Sequence, residues 1–309
     1  MQTICLIGVS IDAGAGIQGS DLGPDALRQA GLGSALQTSD TCFIDNGNLS
    51  GPATPWSEPV DGLRHLYEVA HWNQSIYDAV NSVLKQGNLP LVAGGDHSVA
   101  IGSISAVAGY CRTANKKLRV LWFDAHADSN SSATSPTGNI QGMPVACLLG
   151  HGPAALVSYA GTLPAICVDE IRLIGIRAVD TEEQLFVNEM QMQVLDMEFI
   201  RQHGIRSTIA SALAGIDERT HLHVSFDLDC LDPTVAPGVG TAESGGLSEE
   251  DAMLCAGEIA KTGLLGSIDI VELNPVFDTA GQTARLAVRI ISRMTQVLTR
   301  SVENHLNHS

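Results

Sequence analysis

Acidic residues and histidines occur just after three short apolar segments of the sequence, each long enough for one buried strand. The segments Leu89–Ala93, Leu118–Phe123 and His221–Phe226 are followed by His97, by Asp124, His126 and Asp128, and by Asp227 and Asp229. In an extended chain alternate side chains point the same way, so the polar side chains within each group are expected to project together. A single Asp-x-Asp is usually a turn or a helix cap, but three such groups at three strand ends indicate one shared site.

Together these six side chains bring four carboxylates and two imidazoles to one crevice. Four anions in a partly desolvated pocket are strongly unfavourable unless positive charge compensates them. Two divalent cations would supply that charge, so the sequence predicts a site for two metal ions. Oxygen-rich ligands with imidazole and no thiolate favour Mn²⁺ over Fe²⁺, Co²⁺ or Zn²⁺, and Mg²⁺ usually avoids two histidines.

Neighbouring residues have simpler interpretations. Cys230 lies beside a predicted ligand, but alternation points it away, which predicts buried packing. Asp96 alternates away from His97 and is expected, with Ser98, to support the turn or the ligands. Asp232 precedes Pro233 and is as typical of a turn as of a functional site.

Strand-like and helix-like segments alternate along the chain. The strand-like segments are Ile4–Val9, Cys42–Asp45, Leu89–Ala93, Leu118–Phe123, Ile171–Ile176, His221–Phe226 and Ser267–Val271. Helices are expected over Leu63–Lys85, from Gly23 onward, over Glu249–Lys261 and over Ala284–His305, and long loops over Asn48–Pro59 and Ser129–Pro144. This alternation predicts one α/β domain over residues 1–309, with a mainly parallel sheet between helices. Ligands of such sheets bind beyond the carboxyl ends of the strands, where the polar groups are expected to meet.

The bulk composition excludes several classes of partner. The net charge of −17 argues against nucleic acid and against an anionic membrane surface, because both need clustered Lys and Arg. No apolar stretch approaches membrane-spanning length. The segment Met1-Gln2-Thr3-Ile4-Cys5 has no basic residue, so no secretory leader is expected. The seven cysteines form no Cys-x-x-Cys pair, so we expect free thiols in a reducing compartment, the cytoplasm.

These motifs resemble those of the ureohydrolase (arginase/agmatinase) family, and most closely its arginase subgroup. The resemblance extends from the first strand and Gly23-Pro24 to Glu272-Leu273-Asn274-Pro275, nearly the whole chain. It implies a three-layer αβα sandwich with an eight-stranded parallel sheet, two Mn²⁺ per subunit at one sheet edge, and a homo-oligomer, either a trimer or a pair of trimers. It assigns as ligands the same six residues, with Asp124 and Asp227 bridging the ions.

The resemblance also implies a reaction, in which two adjacent cations acidify a shared water and the resulting bridging hydroxide attacks the guanidinium carbon of L-arginine. Urea and L-ornithine are the products. Asp128 is expected to hold the nucleophile and steer its proton, Glu272 to clamp the guanidinium, and Thr241 to line the same pocket. The residues implied for the outer part of the substrate are Asn130, Thr137 and Asn139 at its α-carboxylate, Asp180 at its α-amino group, and Glu183 as a further acid.

Three positions depart from the arginase pattern. Gln141 stands where the pattern has a His credited with proton shuttling, and Gln cannot exchange a proton at neutral pH. Loss of a general acid costs roughly 10²- to 10⁴-fold in rate. Ala178 replaces an acid, which weakens the case for an α-amino group, and Thr241-Ala242-Glu243-Ser244 replaces a more Pro-rich loop.

Several functions therefore stay open. The favoured hypothesis is an arginase, followed by a ureohydrolase for another guanidino acid, such as a guanidinobutyrate-like compound. A metal-binding homologue with little catalysis is motivated by Gln141. An interaction module without metal is least favoured, because its converging carboxylates would lack compensation.

Overall fold

The computed structural model describes residues 2–53, 58–159 and 161–296, and its eight strands form one sheet. The strands are β1 Gln2–Gly8, β2 Thr41–Asn48, β3 Leu89–Ala93, β4 Lys117–Phe123, β5 Ile171–Ile174, β6 Val194–Leu195, β7 Thr220–Asp227 and β8 Leu265–Val271. Their spatial order is β2-β1-β3-β8-β7-β4-β5-β6, and every neighbouring pair is parallel. The predicted eight-stranded parallel sheet is confirmed.

Helices cover both faces of this sheet, which gives the predicted three layers. The helices are α1 Gly23–Gln29, α2 Leu32–Leu36, α3 Leu66–Lys85, α4 Ala100–Thr113, α5 Pro144–Leu148, α6 Ala154–Val157, α7 Thr181–Glu189, α8 Met197–His203, α9 Ile205–Ala212, α10 Glu249–Thr262 and α11 Gln282–Thr295. Helices α3 to α7 pack on one face, and α1, α2 and α8 to α11 pack on the other. Within the described ranges, no helix combines the length and apolar character needed to cross a lipid bilayer.

The apolar strand segments follow from this double covering. In β1, Cys5 and Ile7 belong to the core on the α3 side, whereas Ile4 and Leu6 belong to the core on the α10 side. Because alternate side chains enter opposite cores, a central strand needs apolar residues at nearly every position. This explains why β3 is buried throughout its length.

Several predicted boundaries differ from those observed. Strand β6 has only two residues and carries no periodic signal that sequence reasoning could detect. Helix α3 begins at Leu66, because Leu63 pairs with Val60 in a short bridge. Helix α11 begins at Gln282, and the part of its predicted span beyond residue 296 lies outside the described residues, as do residues 54–57 of the first predicted loop. The second predicted loop contains a 3₁₀ turn, Ile140–Gly142, and ends where α5 begins.

The strand order decides where the functional side chains meet. Strands β3, β8, β7 and β4 lie side by side, in this order, at the centre of the sheet. Strands β3 and β4 follow each other in the sequence but are separated in the sheet by β8 and β7. All four are parallel, so their carboxyl ends form one continuous edge. The polar groups that follow these strands are therefore delivered to adjacent positions.

Candidate metal centre and active site

A turn of two glycines carries the chain from β3 to His97. Gly94 and Gly95 have φ of 86° and 79°, in the left-handed region that favours glycine. A Cβ on Gly95 would lie 2.9 Å from Cγ2 of Ile11, so the turn also needs the missing side chain. Asp96 then accepts a hydrogen bond from the Ser98 N–H at 3.0 Å, which caps the short helix that begins at His97. The expectation that Asp96 supports this turn is confirmed.

The side chains that follow β3, β4 and β7 form two overlapping groups of potential metal ligands. One group contains His97, Asp124 and Asp227, and the other contains Asp124, His126 and Asp229. The donor atoms within each group lie within 4.8 Å of one another, and Asp124 belongs to both groups. Two divalent ions placed in these groups would therefore share the Asp124 carboxylate.

Two predicted ligands, Asp128 and Asp227, are not shared between the two groups. Asp128 lies outside both groups, but its Oδ2 is 3.2 Å from Nδ1 of His97. Asp227 belongs only to the group of His97, with its Oδ2 3.2 Å from the same nitrogen. The structure thus brings all six predicted ligands together, and their assignment to individual ions stays a prediction.

The donor set fits divalent metal ions. Nδ1 of His97 is buried, has no hydrogen-bond partner in the described part of the chain, and faces the carboxylates of Asp124, Asp128 and Asp227 at 3.1–3.2 Å. Nε2 of the same ring lies 2.9 Å from Oγ of Ser225. When Nε2 carries the proton and donates it to this hydroxyl, the Nδ1 lone pair is free for a cation, as in known histidine metal sites.

Trp122 supports the site from behind. Its ring stacks on the His97 imidazole, with centroids 3.9 Å apart and planes 9° from parallel. Its indole N–H donates to Oδ2 of Asp124 at 2.9 Å. One fully buried side chain therefore fixes a ligand from each of two strands.

Three of the potential ligands have raised pKa values, which favour their protonated forms in the absence of cations. Burial alone would lower the pKa of His97, but the carboxylates of Asp124, Asp128 and Asp227 raise it well above its ordinary value. Burial raises the pKa of Asp128, and the charge of Asp124 raises it further. Burial also raises the pKa of Asp227, together with the charges of Asp229 and Asp124. Bound cations would displace these protons, because metal ligands must be deprotonated.

The local backbone differs from the extended chain that was expected. Asp128 has φ of 47°, a left-handed conformation, and Asp229 lies in the 3₁₀ turn Leu228–Cys230. Simple alternation is therefore wrong as the reason for their common direction, which comes from the turns that end β4 and β7. Cys230 is fully buried in the apolar core, as predicted. Asp232 accepts hydrogen bonds from the backbone of Thr234 and Gly245 and is a turn residue.

A cavity of about 250 Å³ opens above the ligand cluster. Its lining includes every predicted site residue except Asp124, which lies beneath it. The lining residues are His97, His126, Asp128, Asn130, Ser135, Pro136, Thr137, Asn139, Gln141, Gly142, Asp180, Glu183, Asp227, Asp229, Thr241 and Glu272. No lysine or arginine lines this cavity in the part of the chain that the structure describes.

Glu272 and Thr241 border the floor of the cavity. Glu272 is buried, follows β8 with φ of 61°, and accepts a hydrogen bond from the His97 backbone N–H at 2.9 Å. Burial raises the pKa of Glu272 well above its ordinary value, and the charges of Asp227 and Asp96 add to this effect. Thr241 Oγ1 donates to Oδ2 of Asp229 at 3.0 Å. Both side chains are thus tied to the ligand cluster.

The outer wall of the cavity is a hydrogen-bonded frame. Nδ2 of Asn130 donates to Oδ2 of Asp180 at 2.9 Å. Buried Glu183 accepts from the backbone N–H groups of Ser129 and Asp180 at 3.0 Å and 3.3 Å, so its carboxylate already serves the frame. Thr137 is exposed at the rim.

Three amide side chains leave polar atoms unpaired along this cavity. Oδ1 of Asn130, Oδ1 of Asn139 and Oε1 of Gln141 are all buried without a hydrogen-bond partner within the described ranges. A buried acceptor without a donor is unfavourable, so these atoms are expected to meet ligand or water. Gln141 lines the cavity with its Oε1 available as an acceptor, and its role stays a prediction.

Sequence reasoning missed Ser135, Pro136 and Gly142 in the cavity wall, and Trp122 and Ser225 behind it. Trp122 and Ser225 each precede an aspartate ligand by two residues in a strand. The alternation of β-strands could have identified both as facing the same side as that ligand. Ser135 and Pro136 follow no such rule because they lie in irregular chain, and Gly142 follows none because it ends the short 3₁₀ turn Ile140–Gly142.

Comparisons with known proteins agree with this geometry. The Arginase family model matches residues 2–296. The arginase of Bacillus caldovelox is 38% identical over 95% of this chain and 98% of its own length, and a solved structure of that enzyme has a TM-score of 0.90 with coverage of 96% and 98%. Entamoeba histolytica arginase in complex with L-ornithine has a TM-score of 0.86 at 32% identity, covering 95% of this chain and 99% of the other. The chain belongs to the arginase family and is an arginase-like ureohydrolase.

Proposed function

We propose that this chain hydrolyses L-arginine to L-ornithine and urea with two Mn²⁺ ions. The observation that carries the proposal is the sharing of Asp124 between two ligand groups, directly beneath a cavity that Glu272 also lines. Two adjacent cations suit hydrolysis, because they supply an activated water nucleophile when bound. The match to arginases over nearly the whole chain supports L-arginine as the substrate.

The residues on the cavity floor would hold and orient the reacting groups. A guanidinium is planar and always cationic, so a buried carboxylate can fix it with paired hydrogen bonds. The other carboxylates on this floor are predicted metal ligands, which leaves Glu272 to bind the guanidinium. Asp128 lies beside His97 at the cavity surface, where it can accept the proton of the attacking water.

The outer wall suits the amino-acid part of the substrate. Asn130, Thr137 and Asn139 offer neutral donors to a carboxylate, and Asp180 offers an acceptor to an ammonium group. Since no basic side chain from the described ranges lines the cavity, the substrate carboxylate would rely on these neutral donors. Its guanidinium and ammonium groups would both face acids.

Gln141 favours a second candidate, a metal-binding homologue with low turnover or with another guanidino acid as substrate. Oε1 of Gln141 is buried and unpaired at the cavity, and its amide cannot give a proton to the leaving amine. The other titratable side chains that line the cavity in the described ranges are carboxylates and the two ligand histidines. Proton delivery to the leaving amine would then depend on water or on Asp128, which would hold the proton taken from the attacking water.

A substrate panel tests these candidates. Urea release would be measured from L-arginine, agmatine and 4-guanidinobutyrate on Mn²⁺-reconstituted protein, with metal content determined on the same sample. The proposal predicts two ions per chain and the highest kcat/KM for L-arginine. Preference for 4-guanidinobutyrate would establish the alternative substrate, and turnover of agmatine alone would refute the interpretation of the Asn130 wall.

Gln141→His separates an active enzyme from a weakly active homologue. A large gain in kcat, up to about 10²- to 10⁴-fold, is expected if the missing general acid limits turnover. The matched control is Gln202→His on the exposed surface of α8, which should change nothing. Robust native turnover with no gain from Gln141→His would discard the weakly active homologue.

Assembly and compartment rest on the sequence alone. We propose a cytoplasmic homo-oligomer, a trimer or a pair of trimers, from the resemblance to arginases and the scattered cysteines. In agreement with free thiols, all seven cysteines are unpaired in the structure. Light scattering of the purified protein would measure the subunit number directly.

A further inference from the structure

Arg177 joins three loops around the metal cluster. It follows β5, and its five guanidinium N–H groups donate to six backbone carbonyl groups at 2.7–3.3 Å, with one N–H of Nη2 shared between two of them. The acceptors are the carbonyl oxygens of Gly175, Asp229, Cys230, Leu231, Glu243 and Ser244. One side chain therefore holds the turn that carries Asp229 against the loop that follows Thr241.

The backbone of Arg177 extends this connection to the loop after β4. Its N–H donates to the carbonyl of Ala125 at 2.8 Å, and the N–H of Ala178 donates to the same oxygen at 2.9 Å. The Ala125 N–H in turn donates to Oδ1 of Asp229 at 3.1 Å. The segments that carry His126 and Asp229 are thus held together by one residue and its backbone.

Of the two ligand groups, the contacts of Arg177 reach mainly the one that contains His126 and Asp229, whereas Asp124 belongs to both groups. They fix the turn of Asp229 and the segment next to His126, and Thr241 Oγ1 bonds the Asp229 carboxylate from the second loop. The members of the other group are held differently. His97 is fixed by Glu272 and Ser225. Asp227 is the last residue of β7 and pairs with β8, and its Oδ1 also accepts a hydrogen bond from the Asp229 N–H at 2.7 Å.

We propose that Arg177 is a positioning residue for one metal ion, the ion bound by Asp124, His126 and Asp229. The inference rests on the proposed two-metal function. Its physical basis is the geometry of guanidinium, a planar fork of five N–H donors that can reach carbonyl groups on several loops at once. A lysine ammonium keeps the charge but presents its donors from a single point, so it cannot bridge the same carbonyl groups.

The test is a metal titration of the full-length protein by calorimetry with Mn²⁺, with bound metal measured after dialysis. In Arg177→Lys and Arg177→Gln, the affinity for one ion is expected to fall about 10- to 100-fold, the usual effect of losing a group that orients a ligand. The affinity for the other ion should fall much less, because His97 is fixed by Glu272 and Ser225 and Asp227 by the pairing of β7 with β8. The matched control is Arg289→Lys, at an exposed arginine that pairs with Glu249 on the far helices.

Gly246→Ala provides a second perturbation that leaves the arginine intact. A Cβ at this position would lie 2.6 Å from Nη2 of Arg177, 2.6 Å from the carbonyl carbon of Leu231 and 2.7 Å from the carbonyl oxygen of Cys230. It would therefore push the guanidinium away from the carbonyl groups that follow Asp229. The same selective loss of one ion is expected. This variant keeps the inference testable if the Arg177 variants do not fold.

Three results would count against the inference. If native protein fails to bind two Mn²⁺ per chain, the proposed function and the inference fall together. If native protein binds two ions and Arg177→Lys binds both as tightly, only the inference is overturned. Equal weakening of both ions in the Arg177 and Gly246 variants would also overturn it, because it would indicate a general loss of structure.

Discussion

Trp122 offers a direct test of the shared ligand. Trp122→Phe keeps an aromatic ring against the His97 imidazole but removes the indole N–H that donates to Oδ2 of Asp124 at 2.9 Å. A hydrogen bond to a buried charged group contributes about 1.5–3 kcal/mol. That range corresponds to about 10- to 150-fold in a binding constant, since 1.4 kcal/mol is tenfold. Because Asp124 belongs to both ligand groups, both Mn²⁺ ions are expected to bind more weakly.

The assay is the same Mn²⁺ titration by calorimetry, with Trp72→Phe as the matched control. Trp72 is also buried, lies on α3, and its indole N–H has no hydrogen-bond partner among the described residues. The control therefore loses the same atoms without losing a bond to a ligand. Native affinity for both ions in Trp122→Phe would refute the reasoning, and so would equal losses in the two variants.

Two further predictions concern charge in the site. Glu272→Gln keeps an acceptor for the His97 N–H but removes the charge facing the guanidinium. Loss of a buried charge pair costs roughly 2 kcal/mol or more, so kcat/KM should fall at least about 30-fold. Bound metal should stay at the native level, and an unaltered kcat/KM would exclude Glu272 as the guanidinium clamp. The metal-free protein should lose stability as pH rises above about 4, and more steeply above about 6.5. The reason is that the raised pKa values of Asp128, Asp227 and His97 make the folded state bind more protons than the unfolded state above the unfolded pKa of each group. Thermal unfolding in the presence of a chelator would measure how the melting temperature changes with pH. Saturating Mn²⁺ should reverse the direction of this change, because cations need deprotonated ligands. A metal-free melting temperature that rises over this range would contradict the argument.

The ends of the central strands could be predicted from the sequence, because a buried parallel strand is a short, mainly apolar segment. The run before Asp124, Leu118–Phe123, is apolar except for Arg119, so the polar residues just beyond it stood out. The run before Asp227 alternates apolar residues with His221, His223 and Ser225, and there the spacing of Asp227 and Asp229 was the clearer signal. The charge argument for two cations also needed only residue types. Strand β6 and the cavity residues Ser135 and Pro136 gave no such signal, since neither a two-residue strand nor an irregular loop has a periodic pattern.

The direction of individual side chains was harder to predict from the sequence. Asp128 and Asp229 face the cluster because of a left-handed residue and a 3₁₀ turn, not because of strand alternation. Such turns depend on contacts with other segments, including the bonds of Arg177 to the Asp229 turn. Local sequence does not encode contacts between residues that are far apart in the chain.

The sequence by itself determined which chemical groups are available: four carboxylates and two imidazoles at strand ends, an acid after β8, and an amide at Gln141. Only the tertiary structure decided that β3, β8, β7 and β4 are neighbours, that Asp124 is common to both ligand groups, and that Arg177 joins the surrounding loops. The physical reason is that residue type and strand periodicity are properties of short segments. Strand order and the sharing of a ligand arise from packing between segments that lie up to about 175 residues apart, as the bond between His97 and Glu272 illustrates.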